Sequence, residues 1–161
     1  MNNYFFELSV QENLLECLRK ETGRTDWVNK LNFDILKLPY NFFKDSNLFE
    51  LITLFNASPR IFKMDPMTWY DWHTDETRQC AINMLIDGND SRCFFGDRQN
   101  RDIVNLTELT YKPNTYYLFN TQVKHAVLNL NNTRYLLSIG FVLPNTYEDI
   151  LTYCKNYLIH E

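Results

Sequence analysis

From Pro59 onward, turn residues punctuate the chain so densely that few architectures can accommodate it. Segments 60–65, 68–74, 79–86, 92–95, 115–121, 123–130 and 134–143 are rich in β-branched and aromatic residues and read as strands. Asp65-Pro66, Asp87-Gly88-Asn89-Asp90, Pro113-Asn114 and Asn131-Asn132 read as the turns between them. About seven strands in about 85 residues leave no room for the crossover helices of a parallel sheet. The pattern predicts an antiparallel jelly-roll core over 58–143.

The flanks read differently. Leu14, Leu15 and Leu18 stand with Cys17 at helical spacing within 9–20, and Ser9 with Glu12 makes a capping-box pattern. A second amphipathic helix is expected over 46–56. Between them Leu31, Phe33 and Ile35 alternate with polar residues, and the phase slips at Ile35-Leu36, which predicts a short strand with a bulge. A closing helix is expected from Tyr147 to Ile159, with Asn145 or Thr146 as N-cap and Glu148 and Asp149 in its first turn. No repeat or linker interrupts the sequence. The expectation is one domain over 1–161: helical support with a short strand over 1–57, the jelly roll over 58–143 and a helix over 144–161.

At 161 residues, with 45% hydrophobic and 22% charged residues, the chain has globular composition and enough length for a core. No apolar run approaches the ~20 residues of a membrane span. The first residues lack the basic and apolar regions of a signal peptide, so the expected location is cytoplasmic. Cys17, Cys80, Cys93 and Cys154 show no metal-binding spacing and are read as reduced. The formal charge of −4 and the absence of a basic run argue against a nucleic-acid partner.

Three histidines, His73, His125 and His160, restrict the chemistry. His73 and Asp75, two apart at the end of a predicted strand, share one face and can reach a single ion. His125 lies 50 residues beyond Asp75, and Arg134 follows it by nine. If Asn131-Asn132 turns a tight hairpin, Asn129 lies opposite Arg134 and His125 opposite Ser138, so His125, Arg134 and Ser138 face inward together. If the two strands belong instead to opposite sheets of the jelly roll, their inward residues still share the cavity. An arginine inside an apolar barrel needs an anion, either Asp75 or the carboxylate of a ligand. Two histidines and a carboxylate with open positions beside them suit non-haem Fe(II). His160, beside the C-terminus, is expected to be exposed.

The stretches WHTDETRQCAIN and HAVLNLNNTRYLLSIGF resemble the Fe(II)/2-oxoglutarate-dependent oxygenase family, whose hallmark is HxD, a distant His and an Arg about nine residues on. The second stretch is similar to aspartyl/asparaginyl β-hydroxylase-like and prolyl-hydroxylase-like members. The resemblance covers roughly 58–143. It implies a double-stranded β-helix (jelly-roll) core, which with the N-terminal helices and one C-terminal helix read from the residue pattern makes an α+β fold. It further implies Fe(II) on His73, Asp75 and His125, with 2-oxoglutarate as cosubstrate against Arg134 and Ser138. Asn83 is assigned either to the cosubstrate or to the barrel backbone. Leu136 stands where many members carry a serine two residues after the arginine.

Tyr70, Trp72, Phe95, Tyr117 and Phe119 are candidates for core or pocket wall, and Arg78 and Arg92 for contact with a carboxylated substrate or for solvated positions. Arg98 and Arg101, in a loop read over 96–104, are candidates to border the entrance. The implied activity is O2-dependent hydroxylation of a small molecule, such as an amino acid, or of a protein residue. A non-catalytic jelly-roll binding protein and a cupin-type metalloenzyme working without 2-oxoglutarate are the alternatives.

Overall fold

The computed structural model describes residues 4–8 and 14–158. Among the described residues eleven strands form two antiparallel sheets. The larger sheet contains β1 (Phe5–Leu8), β2 (Val28–Asn29), β3 (Asp34–Lys37), β4 (Ser58–Met64), β6 (Arg78–Asp87), β9 (Tyr116–Asn120) and β11 (Arg134–Val142), in the order β1-β9-β6-β11-β4-β3-β2. The smaller contains β5 (Thr68–His73), β7 (Arg92–Gln99), β8 (Asp102–Leu109) and β10 (Lys124–Asn129), in the order β5-β10-β7-β8. Among the described residues three α-helices, α1 (Leu15–Glu21), α2 (Phe49–Leu54) and α3 (Tyr147–Tyr157), and a short 3-10 helix at Tyr40–Phe43 complete the fold. No described helix is long and apolar enough to cross a membrane.

Alternation along the central strands builds two compartments. Cys80, Ile82, Met84 and Ile86 of β6, with Leu137, Ile139 and Phe141 of β11, are buried in one core with Leu18, Leu51, Ile52, Ile150 and Cys154 of the helices. The residues between them, Ala81 and Asn83 on β6 and Arg134, Leu136 and Ser138 on β11, line a cavity on the other face. Beside that cavity Met64, Cys93, Phe95, Leu109, Tyr117, Phe119 and Val127 make a smaller apolar cluster drawn from both sheets.

Several expectations change. Residues 123–130 and 134–143 do not pair as a hairpin: β10 lies between β5 and β7, while β11 lies between β4 and β6. Asn129 is therefore opposite Thr68, and Ser138 is opposite Asn83 and Arg60, so the facing-sheet alternative is the observed one. Leu31 belongs to no inward face; it is 97% exposed beside the β2–β3 turn. The phase slip at Ile35-Leu36 is not a bulge, because β3 pairs with β4 in unbroken register. Both residues are buried since Ile35 faces the cavity and Leu36 the helical core.

The loop read over 96–104 is instead the end of β7 and the start of β8, turned at Asn100, whose φ of 58° is left-handed. β8 escapes a pattern reading because it is an edge strand with most of its side chains outside the core. The capping box at Ser9 and Glu12 and the position of His160 lie outside the described residues. The C-terminal helix begins at a capping box of Thr146 and Asp149.

Asn129 ties the sheets together where the hairpin was expected. Fully buried, its Nδ2 donates to the carbonyls of Met64 (3.1 Å), Asp65 (2.8 Å) and Asn132 (2.8 Å), linking the end of β4, the turn into β5 and the approach to β11. Replacing it leaves buried carbonyls without a donor, which costs about 1–3 kcal/mol. Asn129→Ala is expected to lower the unfolding free energy by about 2 kcal/mol in urea titration, with the slope of the transition unchanged.

Candidate metal centre and its cavity

His73 ends β5, and its partner in the register is His125 on β10. Between His125 and Val127 the register slips: two steps along β10 match three along β5, from His73 to Tyr70. This bulge turns both Tyr70 and His73 into the cavity, their rings 4.0 Å apart, where simple alternation would place them on opposite faces. The Trp72 amide donates to Asp71 Oδ1 at 2.7 Å within the bulge.

Asp75 sits in the loop after β5, which the segment following β9 holds in place. The Asp75 amide donates to the Thr121 carbonyl at 3.0 Å, Thr121 Oγ1 donates to the Arg78 carbonyl at 2.7 Å, and Gln122 Nε2 donates to the carbonyls of Asp75 (3.1 Å) and Arg78 (2.7 Å). Asp75 Oδ1 is thereby placed 3.8 Å from His73 Nε2 and 4.0 Å from His125 Nε2. One donor atom from each of the three residues lies within 4.8 Å of the others. Ligand atoms about 2.0–2.2 Å from one ion and at right angles to each other stand about 3 Å apart. A small contraction of side chains thus closes the set around a metal.

The imidazoles are already oriented for this. His73 Nδ1 meets the Asp71 carbonyl at 2.6 Å and His125 Nδ1 the Val123 carbonyl at 2.9 Å. A carbonyl only accepts, so each Nδ1 carries the proton and each Nε2 presents its lone pair to the cavity. Burial lowers the pKa of His73. It lowers that of His125 as well, reinforced by the neighbouring His73. Both rings are neutral, as metal binding requires.

The cavity has a volume of ≈ 210 Å³. Besides His73, Asp75 and His125 it brings together Arg134, Ser138, Asn83, Tyr70, Arg78 and Phe119 of the residues expected from the sequence. Arg134 is 3% exposed; its Nη2 donates to the Tyr111 hydroxyl at 3.2 Å, and among the described residues its Nε has no hydrogen-bond partner. Asn83 Oδ1 is likewise buried without a partner. Buried polar atoms of this kind fit a polar ligand, the guanidinium fork in particular a carboxylate. Ser138 Oγ accepts from Arg78 Nη1 at 3.1 Å, and Arg78 Nη2 is 2.7 Å from Asp75 Oδ2. Arg78 is therefore not a solvated arginine: it braces the outer oxygen of the candidate carboxylate ligand.

Trp72, Phe95 and Tyr117 do not line the cavity. The bulge leaves Trp72 on the far face of the small sheet against Gly96, while Phe95 and Tyr117 pack in the inter-sheet cluster. Arg92 is exposed, 3.5 Å from Glu108, and Arg98 and Arg101 sit around the exposed β7–β8 turn, away from the cavity. Tyr111 and Arg60 were not anticipated. Tyr111 lies in an irregular segment with no periodicity to mark it. Arg60 was legible, since it shares the inward face of β4 with Phe62 and Met64 and invites the same reasoning that singled out Arg134.

No protein-family model and no curated protein matches the sequence. Solved structures do. HygX from Streptomyces hygroscopicus, with nickel, 2-oxoglutarate and hygromycin B bound, superposes with a TM-score of 0.64 at 11% identity, covering 90% of this chain and 85% of that one. A Pseudomonas putida prolyl-4-hydroxylase gives 0.60 at 11% identity over 89% and 95%. A prolyl hydroxylase in complex with a hypoxia inducible factor peptide fragment from Trichoplax adhaerens gives 0.60 at 12% over 88% and 84%. The chain shares the fold of these proteins, a double-stranded β-helix with accessory helices.

Two outcomes follow from the triad. Losing even an outer partner of a metal ligand costs about 10–100-fold in affinity, so Asp75→Ala is expected to weaken Mn(II) or Ni(II) binding by at least about tenfold in calorimetric titration. Unfolded imidazoles titrate near 6.5 and the folded ones lower, so the unfolded chain takes up protons first as pH falls. The metal-free protein is expected to hold its full stability above about pH 6.5 and to lose it progressively below, with a flatter urea-midpoint profile between pH 7 and 5 in His125→Gln.

Proposed function

We propose that this chain is an Fe(II)- and 2-oxoglutarate-dependent dioxygenase that hydroxylates a small molecule or a protein residue. The observation that carries this reading is one cavity, in a fold shared with such oxygenases, that joins the His73–Asp75–His125 triad to a buried arginine with an unsatisfied nitrogen. Bound there, Fe(II) and 2-oxoglutarate supply O2 activation, one oxygen atom entering a substrate C–H bond and the other the succinate formed as CO2 leaves.

The residues divide the remaining work. His73 and His125 as neutral donors, with Asp75 as the single anion, leave a divalent ion with net positive charge and room for further ligands. Arg134 offers its planar guanidinium fork to the distal carboxylate of the cosubstrate. The Tyr111 hydroxyl holds one edge of that guanidinium, and burial raises the phenol pKa so that it remains protonated. Met64, Cys93, Phe119, Val127 and Leu136 give the cavity apolar walls that exclude water. Ser138 is the weaker part of the cosubstrate assignment, since its hydroxyl already serves Arg78.

Small-molecule and protein substrates are both represented among the similar structures, by hygromycin B in HygX and by the peptide in the Trichoplax adhaerens complex. The four unpaired cysteines, Cys17, Cys80, Cys93 and Cys154, agree with a reducing compartment such as the cytoplasm.

Anaerobic titration of the Fe(II) protein with 2-oxoglutarate is expected to raise the weak visible charge-transfer band of the chelate. No band with Fe(II) bound overturns the reading. Arg134→Ala removes hydrogen bonds to a charged group worth about 1.5–3 kcal/mol, so the half-saturating 2-oxoglutarate concentration is expected to rise about 10–100-fold with Fe(II) binding retained.

A further inference from the structure

The cavity carries more positive charge than the cosubstrate can match. Arg60, Arg78 and Arg134 line it, and among the described residues Asp75 is its only carboxylate. Asp75 is shared between the metal position and Arg78. Arg134 is allotted to the cosubstrate. Arg60 is left over: among the described residues its only side-chain bond is from Nε to Ser58 Oγ, at 3.1 Å, and no carboxylate lies within ion-pair distance. Partial burial and repulsion from Arg78 both weaken its hold on the proton, the signature of a guanidinium without its counter-ion.

Its placement is specific. Arg60 on β4 is directly across from Ser138 on β11, which is directly across from Asn83 on β6. That row stands four residues along β11 from Arg134, about 13 Å along the backbone, which sets Arg60 and Arg134 at different ends of the cavity lining. Arg78 reaches the same row through Ser138 Oγ, its charged head 5.3 Å from the centre of the Phe62 ring. Gly140 makes this course possible, since a Cβ there would come within 2.7 Å of Arg78 Cδ. Arg60, without a carboxylate partner, and Arg78, already paired with Asp75, thus line the same cavity as the metal triad, whose ≈ 210 Å³ suits a small ligand.

Resting on the dioxygenase reading above, we propose that Arg60, supported by Arg78, binds a carboxylate of the substrate, so that the substrate is a small carboxylic acid such as a free amino acid. A guanidinium pair selects a planar carboxylate bidentately and rejects the neutral amide of the same shape.

The test uses the Fe(II)-loaded protein at saturating 2-oxoglutarate with matched probes, free amino acids and simple monocarboxylic acids against their primary amides. Acids are expected to stimulate succinate formation and their amides not. Arg60→Gln is expected to raise the half-saturating concentration of the stimulating acid at least tenfold and Arg60→Lys to recover part of it, with 2-oxoglutarate half-saturation within twofold of wild type. Stimulation by amides as strong as by acids, an unchanged acid response in Arg60→Gln, or a shift in 2-oxoglutarate instead overturns the proposal.

A second arm needs no turnover. Calorimetric titration of the metal-free protein with acetate, and with the stimulating acid, is expected to show binding that Arg60→Gln weakens at least tenfold. Inorganic phosphate binding as tightly as acetate overturns the carboxylate assignment. Arg60-dependent acetate binding without a charge-transfer band upholds the carboxylate site while the dioxygenase reading fails.

Discussion

Strand β11 lies in the middle of the larger sheet and is buried on both faces, and the two faces make opposite demands. Outward, Leu137, Ile139 and Phe141 enter the helical core fully buried, each contributing roughly 1.5–3 kcal/mol of apolar burial. Inward, Arg134 and Ser138 are withdrawn from water, which is unfavourable for a charge unless it is paired. The same backbone therefore carries the strongest adhesive of the fold and its least comfortable side chain. The helices that cover the outer face make the polar inner face tolerable, and they stabilise the site without touching it.

Positioning of the triad draws on backbone groups more than on side chains. Two main-chain carbonyls choose the tautomer of His73 and His125, and Thr121 and Gln122 hold the Asp75 loop through carbonyl and amide contacts. Each of these contacts ends on a main-chain carbonyl, so it depends on where the chain runs as well as on the Gln122 side chain. A rigid sandwich can thus keep three donor atoms within 4.8 Å of one another before any ion arrives.

Much of this was legible in the sequence. Seven strands, their turns and the closing helix are visible because each has strong alternation or a cap, and Thr146 with Asp149 behaves as its residue types predict. His125 and Arg134 stand out because charged and metal-binding residues are rare on apolar strands, and His73 and Asp75 by their spacing of two. What was hidden depends on partners that a linear pattern does not encode. The sheet to which β10 belongs is decided by long-range pairing, and the Asn131-Asn132 turn is equally consistent with a hairpin or a sheet crossing. The Ile35-Leu36 slip looks like a bulge until both faces are seen covered, and the real bulge, between Tyr70 and His73, leaves no mark in polarity. Edge strands β1 and β8 carry too little burial to announce themselves.

That unmarked bulge makes the length of one strand as consequential as its composition. Side chains along β5 can be exchanged singly, but a residue added or removed between Thr68 and His73 reverses the parity and turns the first imidazole away from the second. In the 131–133 segment, by contrast, the chain merely passes from one sheet to the other. A change of length there can be absorbed without altering which way any ligand points, provided the carbonyl that Asn129 grips stays within reach. Divergence of such a chain is thus free to edit spelling within β5 but not its meter, and insertions that remodel what the cavity accepts must come through the turns.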